Sequence, residues 1–183
     1  MSEPFALLGR PRRPLLSEEQ IGTAYRKLAG PLHPDQEGGN DLLFRELGEA
    51  AANLRDPARR LRELSSYSSG SQLPPKAAEL FPQIASRLQQ ADNLIKKHSA
   101  SSNALAKALL AVPLKDLSTD LESIHNYLLE WRESLNQELV KIDSRWPAYD
   151  SHEINALADC FAYAGRWETQ LRERKLSLES VSG

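Results

Sequence analysis

The sequence predicts an all-α protein in which an N-terminal helical hairpin precedes a C-terminal antiparallel helical bundle. Three observations lead there. No segment alternates β-branched and polar residues for long, so strands have no signature. Apolar residues recur at three- and four-residue steps through most of the 183 positions. One stretch, Ser65-Ser66-Tyr67-Ser68-Ser69-Gly70-Ser71-Gln72-Leu73-Pro74-Pro75, breaks from its neighbours in composition. It reads as a flexible linker over 66–75 ending in a stiff Pro-Pro step, which divides the chain into units at 1–65 and 76–183.

Bulk composition narrows the function classes. With 40% hydrophobic and 26% charged residues there is apolar material for a core. A formal net charge of -2 offers no broad basic field to hold a phosphate backbone, so nucleic acid is not expected as a partner. Cys160 is the only cysteine. It excludes an internal disulfide and any zinc site built on two or more thiolates, and it is read as a small apolar core residue. No run of about twenty apolar residues occurs, and no apolar stretch of signal-peptide length opens the sequence; a cytoplasmic protein without membrane contact is expected.

In the first unit, a short helix holding Phe5, Leu7 and Leu8 stops at Gly9, because Arg10-Pro11-Arg12-Arg13-Pro14 cannot continue it. The second helix starts at Ser17, with Gln20 placed to complete a capping box and Glu18 and Glu19 at the positive end of the dipole. Ile21, Ala24, Tyr25 and Leu28 share one face, leaving Arg26 and Lys27 elsewhere, and Gly30-Pro31 ends the helix. The third begins near Asn40 or Asp41 and turns Leu43, Phe44, Leu47, Ala50, Ala51 and Leu54 inward. Pro57 either kinks it or opens a new helix capped by Asp56. Phe5, Leu8, Tyr25, Leu28, Phe44 and Leu47 are the expected core.

In the second unit Ala77, Leu80, Ile84, Leu88, Ala91 and Ile95 form one stripe, and Leu117, Leu121, Ile124, Leu128, Trp131, Leu135, Leu139 and Ile142 form another over almost four heptads. Ile154, Leu157, Phe161, Ala164, Leu171 and Leu178 make a third. Leu105, Leu109 and Leu110 suggest a short extra helix or an early start of the middle one. Turns fall at 99–103 and 147–151, and three one-sided helices pack most economically as an antiparallel bundle. Trp131 is read as core, whereas Trp146 and Trp167 are either buried or part of an exposed binding patch.

No Gly-rich phosphate loop, paired-cysteine motif or His-x-x-x-His pair is present, and the spacing singles out no nucleophile, base and orienter. A non-enzymatic protein without catalytic residues, cofactor or metal is expected. His33-Pro34-Asp35 is the feature with recognition chemistry. Pro34 fixes its own φ and pushes His33 out of the helical region, so the turn is stiff before a partner arrives. Asp35 offers a carboxylate suited to a bidentate arginine. Taken alone, the tripeptide also reads as a plain connecting turn in which Asp35 satisfies nearby backbone donors.

The register around that tripeptide, with Tyr25-Arg26-Lys27-Leu28-Ala29 before it and Phe44, Leu47, Ala50, Leu54, Asp56, Pro57 and Arg60 behind, resembles a J-domain over about residues 4–64. The resemblance implies contact between the tripeptide, the basic face of the preceding helix and a DnaK-class ATPase chaperone. The implied chaperone-binding residues are His33, Pro34, Asp35, Arg26, Lys27 and Tyr25. Gly22 stands where many members carry a further basic residue, Gln36 replaces a common lysine, and Gly30-Pro31-Leu32 replaces a helical continuation. Residues 1–65 hold ten Lys plus Arg and ten Asp plus Glu, so attraction to an acidic partner rests on a local patch.

A J-domain followed directly by a helical domain is similar to the HscB type. That resemblance implies an HscA-class chaperone as partner and, as client, an iron-sulfur cluster scaffold bound by the C-terminal bundle of a monomer. The alternative is a structural or assembly protein that shares its Leu117–Ile142 stripe with another coiled coil.

Overall fold

The computed structural model describes residues 3–65 and 73–182. Among these described residues seven α-helices span Pro4–Leu7 (α1), Glu18–Ala29 (α2), Asp41–Arg55 (α3), Pro57–Leu64 (α4), Pro75–Ala100 (α5), Ala104–Ser144 (α6) and Ser151–Ser182 (α7). No strand occurs among the described residues. Most of the expected linker, residues 66–72, lies outside them. Two compact units are formed, one from the residues up to 65 with 136–159 and the other from 73–135 with 160–182. The long helices α6 and α7 therefore supply residues to each.

The first unit is set by its helix ends. Glu3 accepts from the Ala6 N–H at 2.8 Å to start α1, and Gly9 follows it at φ +57°, a left-handed conformation that suits glycine. Ser17 and Gln20 form a reciprocal capping box on α2, an arrangement in which the cap alone contributes about 1 kcal/mol. Asn40 caps α3 through the Leu43 N–H, and Asp56 caps α4 through the Ala58 N–H at 2.8 Å with Pro57 in the first turn. Proline thus opens a new helix here, one of the two alternatives in the sequence.

Phe5, Leu8, Leu16, Ile21, Ala29, Leu47, Ala50, Ala51, Leu54 and Leu64 make the core, with Tyr25 and Phe44 half-buried against it. Two expectations are corrected. Leu28 is exposed and Ala29 takes its place inside, while Leu43 is exposed rather than buried. On α2 the inward arc runs through Ile21, Gly22 and Ala29. The small residues at 22 and 29 lie two turns apart on the same side, and their short side chains permit a close approach that shifts the buried stripe.

Arg60 is buried, which the sequence does not announce. Its Nε donates to the Pro14 carbonyl at 2.7 Å and its Nη1 to the Leu54 carbonyl at the end of α3. Burial lowers the Arg60 pKa from its ordinary value, opposed by the nearby carboxylates of Asp56 and Asp143. Asp143 also receives Arg13 through both carboxylate oxygens and the Leu15 N–H at 3.1 Å. Arg62 pairs with buried Asp159 at 3.1 Å, Tyr149 donates to the Leu64 carbonyl, and Trp146 packs against the core while stacked on Tyr149 at 4.6 Å. Residues 136–159 thereby close the unit with both charge and apolar contact.

In the second unit ion pairs define the helix directions. Arg87 meets Asp120, Lys76 lies over the Tyr127 ring, Arg132 meets Glu168 and Lys175 meets Glu122. Along each pair of neighbours residue numbers rise on one helix as they fall on the other, so α5, α6 and α7 run antiparallel in turn. Arg174 to Asp92 joins α7 to α5 at 2.6 Å. The stripe expected on α6 is buried within the chain at every position from Leu117 to Leu135, as are Leu139 and Ile142 in the first unit. No face of it is left for sharing with another coiled coil. α6 starts early, at Ala104, with Pro113 inside it. Trp131 and Trp167 are both buried with ring centroids 6.3 Å apart, so Trp167 belongs to no exposed patch. Leu88, Ile95 and Cys160 are half-buried rather than fully enclosed.

Candidate functional site

The site is the loop between α2 and α3 together with the outer surface of α2. After Ala29 the chain makes one 3₁₀ turn over Gly30–Leu32, the local consequence of Gly30-Pro31 ending the α-helix. His33 then takes an extended backbone, φ -57° and ψ 135°, as expected of a residue preceding proline. From here the backbone is cross-braced. The Gln36 N–H donates to the His33 carbonyl at 2.9 Å, the Gly39 N–H to the Gln36 carbonyl at 2.9 Å, and the Asn40 N–H to the Leu32 carbonyl at 3.0 Å. The last of these fastens the end of the loop to its beginning.

His33 has two structural tasks. Its Nδ1 lies 3.2 Å from the Asp35 backbone nitrogen and 3.6 Å from Asp35 Oδ2, so the ring sits over the turn. Its ring stands edge-on to Phe44, centroids 5.2 Å apart, and Phe44 in turn lies 6.4 Å from Tyr25 on α2. Such aromatic pairs contribute roughly 0.5–1.5 kcal/mol beyond their burial. An aromatic chain therefore ties the tripeptide to both helices of the hairpin.

Asp35 presents its carboxylate outward, with the side chain 86% exposed. Within the turn the Asp35 N–H bonds to the His33 ring, the Gln36 N–H to the His33 carbonyl and the Gly39 N–H to the Gln36 carbonyl. Pro34 is exposed beside it. Arg26 and Lys27 are exposed on the last turns of α2, where cations also suit the helix dipole. Tyr25 is half-buried and acts from behind, through Phe44.

Three residues that the sequence does not single out shape the site. Gly39 is the first. A Cβ at that position would lie 2.2 Å from the His33 carbonyl oxygen and 3.1 Å from that of Gln36, so only glycine lets the loop close on the tripeptide. Its neighbour Gly38 sits at φ +83°. The Gly38-Gly39 pair was the available signal, as adjacent glycines mark a turn that needs unusual backbone. Arg55 is the third, lying on the α2 surface from the end of α3, with its Nε 2.8 Å from Glu18 Oε1. Nothing in linear spacing reveals that approach. No cluster of three or more His, Cys, Asp or Glu that could hold a metal ion occurs among the described residues. No described helix is long and apolar enough to cross a membrane.

The family model for the DnaJ domain matches residues 3–62, and the chain carries such a domain there. Over 62 residues it is 40% identical to the chaperone protein DnaJ of Deinococcus proteolyticus, covering 32% of this chain and 20% of that protein. It is 39% identical over 64 residues to Protein psi1 of Schizosaccharomyces pombe, covering 34% and 17% respectively. The DnaJ of Hyphomonas neptunium is 46% identical over 48 residues, which are 25% of this chain and 12% of that protein. The chain thus spans a fifth or less of the length of these curated relatives. Among solved structures, chaperone HscB from Vibrio cholerae superposes with a TM-score of 0.48 at 16% identity, covering 98% of this chain and 97% of that one.

Proposed function

We propose, from the DnaJ domain that residues 3–62 form, that this protein is a non-enzymatic co-chaperone. Its N-terminal part docks on an ATP-bound DnaK- or HscA-class chaperone and raises the rate of ATP hydrolysis. The observation that carries this is the outward carboxylate of Asp35 on a turn braced at both ends. A braced turn has already lost its ordering entropy, so a charge-assisted contact from a partner arginine is retained as affinity. His33, Pro34 and Asp35 form the tip of the docking surface, Arg26 and Lys27 its cationic flank, and Tyr25 its support.

In this reading residues 76–183 hold a client, and residues 66–75 join them to the docking part at 1–65. The client class we favour is an iron-sulfur cluster scaffold protein, from the order of a J-domain followed directly by a helical domain. Joining client and chaperone sites in one monomeric chain raises the local concentration of client at the chaperone.

Single-turnover ATP hydrolysis by the DnaK-class chaperone encoded in the same genome tests the reading. Full-length wild-type protein should accelerate turnover, and Asp35→Asn and His33→Gln should abolish the acceleration while melting like wild type. Equal turnover rates with and without the wild-type protein would reject it.

A further inference from the structure

The surface of α2 contains a feature that neither the tripeptide nor the α2 cations account for. Gly22 is buried, and what covers it is charge. The position its Cβ would take lies 3.6 Å from Arg26 Nη1 and 3.8 Å from Arg55 Nη2, so guanidinium groups from two different helices converge over one glycine. Each is oriented by a bond through another nitrogen. Arg26 uses Nη2 to donate to Thr23 Oγ1 at 3.3 Å, and Arg55 uses Nε to donate to Glu18 Oε1 at 2.8 Å. The arms nearest Gly22, Arg26 Nη1 and Arg55 Nη2, are not the ones those bonds use.

Two guanidinium groups this close repel, and an anion seated across both is attracted twice. We propose that Arg55 reaches from α3 to form, with Arg26, a two-arginine clamp that binds a carboxylate of the partner chaperone. This rests on the docking reading and adds to it a contact supplied by the third helix. A protein carboxylate fits better than a polyanion. The clamp is a local pair in a segment of ten cations and ten anions, with Glu18 beside it, and a phosphate backbone would meet as much repulsion as attraction. A Cβ at position 22 would lie in ordinary contact with both arms, so the glycine keeps the space between them open.

The test uses full-length protein and the ATP-bound DnaK-class chaperone of the same genome, with dissociation constants measured at 50 and 200 mM salt. Arg55→Ala should weaken binding about 3- to 10-fold at the lower salt and flatten the salt dependence, because a docking charge acts through long-range attraction. Adding Gly22→Arg to Arg55→Ala should recover most of the loss, since it returns a cation to the same spot from α2. Arg55→Ala with unchanged affinity and salt slope, beside a loss of binding in Asp35→Asn, would overturn the clamp and leave the docking reading in place. So would a weakened Arg55→Ala that Gly22→Arg does not recover, because Arg55 would then be acting by tying α3 to Glu18. Asp35→Asn binding like wild type would instead remove the docking reading itself.

Discussion

Replacing Gly39 by alanine isolates the brace from the residues it positions. The added methyl would sit 2.2 Å from the His33 carbonyl oxygen and 3.0 Å from its carbon. An ordinary carbon-to-oxygen contact is about 3.3 Å or longer, so backbone must move by about 1 Å. Both atoms struck belong to main chain, which cannot swing aside as a side-chain tip can. The bonds that hold the two strands of the loop together here are Gly39 N–H to Gln36 and Asn40 N–H to Leu32. At about 1 kcal/mol net for each, their loss shifts the balance between the native loop and an opened one by roughly 2 kcal/mol toward the opened form. A docking-competent fraction reduced by that amount weakens apparent affinity about 10- to 30-fold. The core around Phe5, Ile21 and Leu54 is untouched, so the urea midpoint of the first unit should hardly change. Titration of chaperone ATPase stimulation measures the affinity, and amide hydrogen exchange at positions 39 and 40 measures the opening. Unchanged exchange at both amides together with wild-type stimulation would refute the reasoning, because the clash would then be absorbed without moving the tripeptide.

Arg60→Ala should destabilise the first unit by about 2–4 kcal/mol in urea denaturation, since it leaves the Pro14 and Leu54 carbonyls without their buried donor and opens a cavity. Gly48→Ala in α3 and Gly165→Ala in α7 should each add about 0.5–1 kcal/mol, because a Cβ at either position meets no atom within 4 Å and glycine costs backbone entropy in a helix. Scanning calorimetry should show a gain of a few degrees for each. The Lys175 ammonium hydrogen-bonds Glu122 and holds its carboxyl below the usual glutamate value, so the pair's contribution is present above that usual value and is lost as pH falls through the lowered one. Melting temperatures of wild type and Glu122→Gln should therefore differ slightly at neutral pH and converge in acid, the difference being small because the pair is exposed.

Much of this architecture is written in short-range signals. Ser17 with Gln20, Asn40, Asp56 before Pro57, and Gly30-Pro31 each act within four residues, and each helix end falls where those residues place it. The apolar repeat from Leu117 to Ile142 likewise needs only the 3.6-residue turn to define a buried side. His33-Pro34-Asp35 is legible because proline's constraint on its neighbours is covalent. Contacts between distant segments have no such local trace. Whether Leu28 or Ala29 enters the core depends on how closely α3 approaches α2, and the burial of Arg60 depends on carbonyls 46 and 6 residues away. Arg55 meets Gly22 only because α3 folds back along α2, and Gly39 is essential only because His33 returns to within van der Waals distance of it. Helix boundaries, stripes and the exposed tripeptide were thus determined by sequence, through the steric and hydrogen-bonding rules of a single turn. Which flank of each stripe is covered, which cations converge and which glycine has no substitute were decided by the tertiary structure, because packing joins residues whose separation along the chain carries no information about their separation in space.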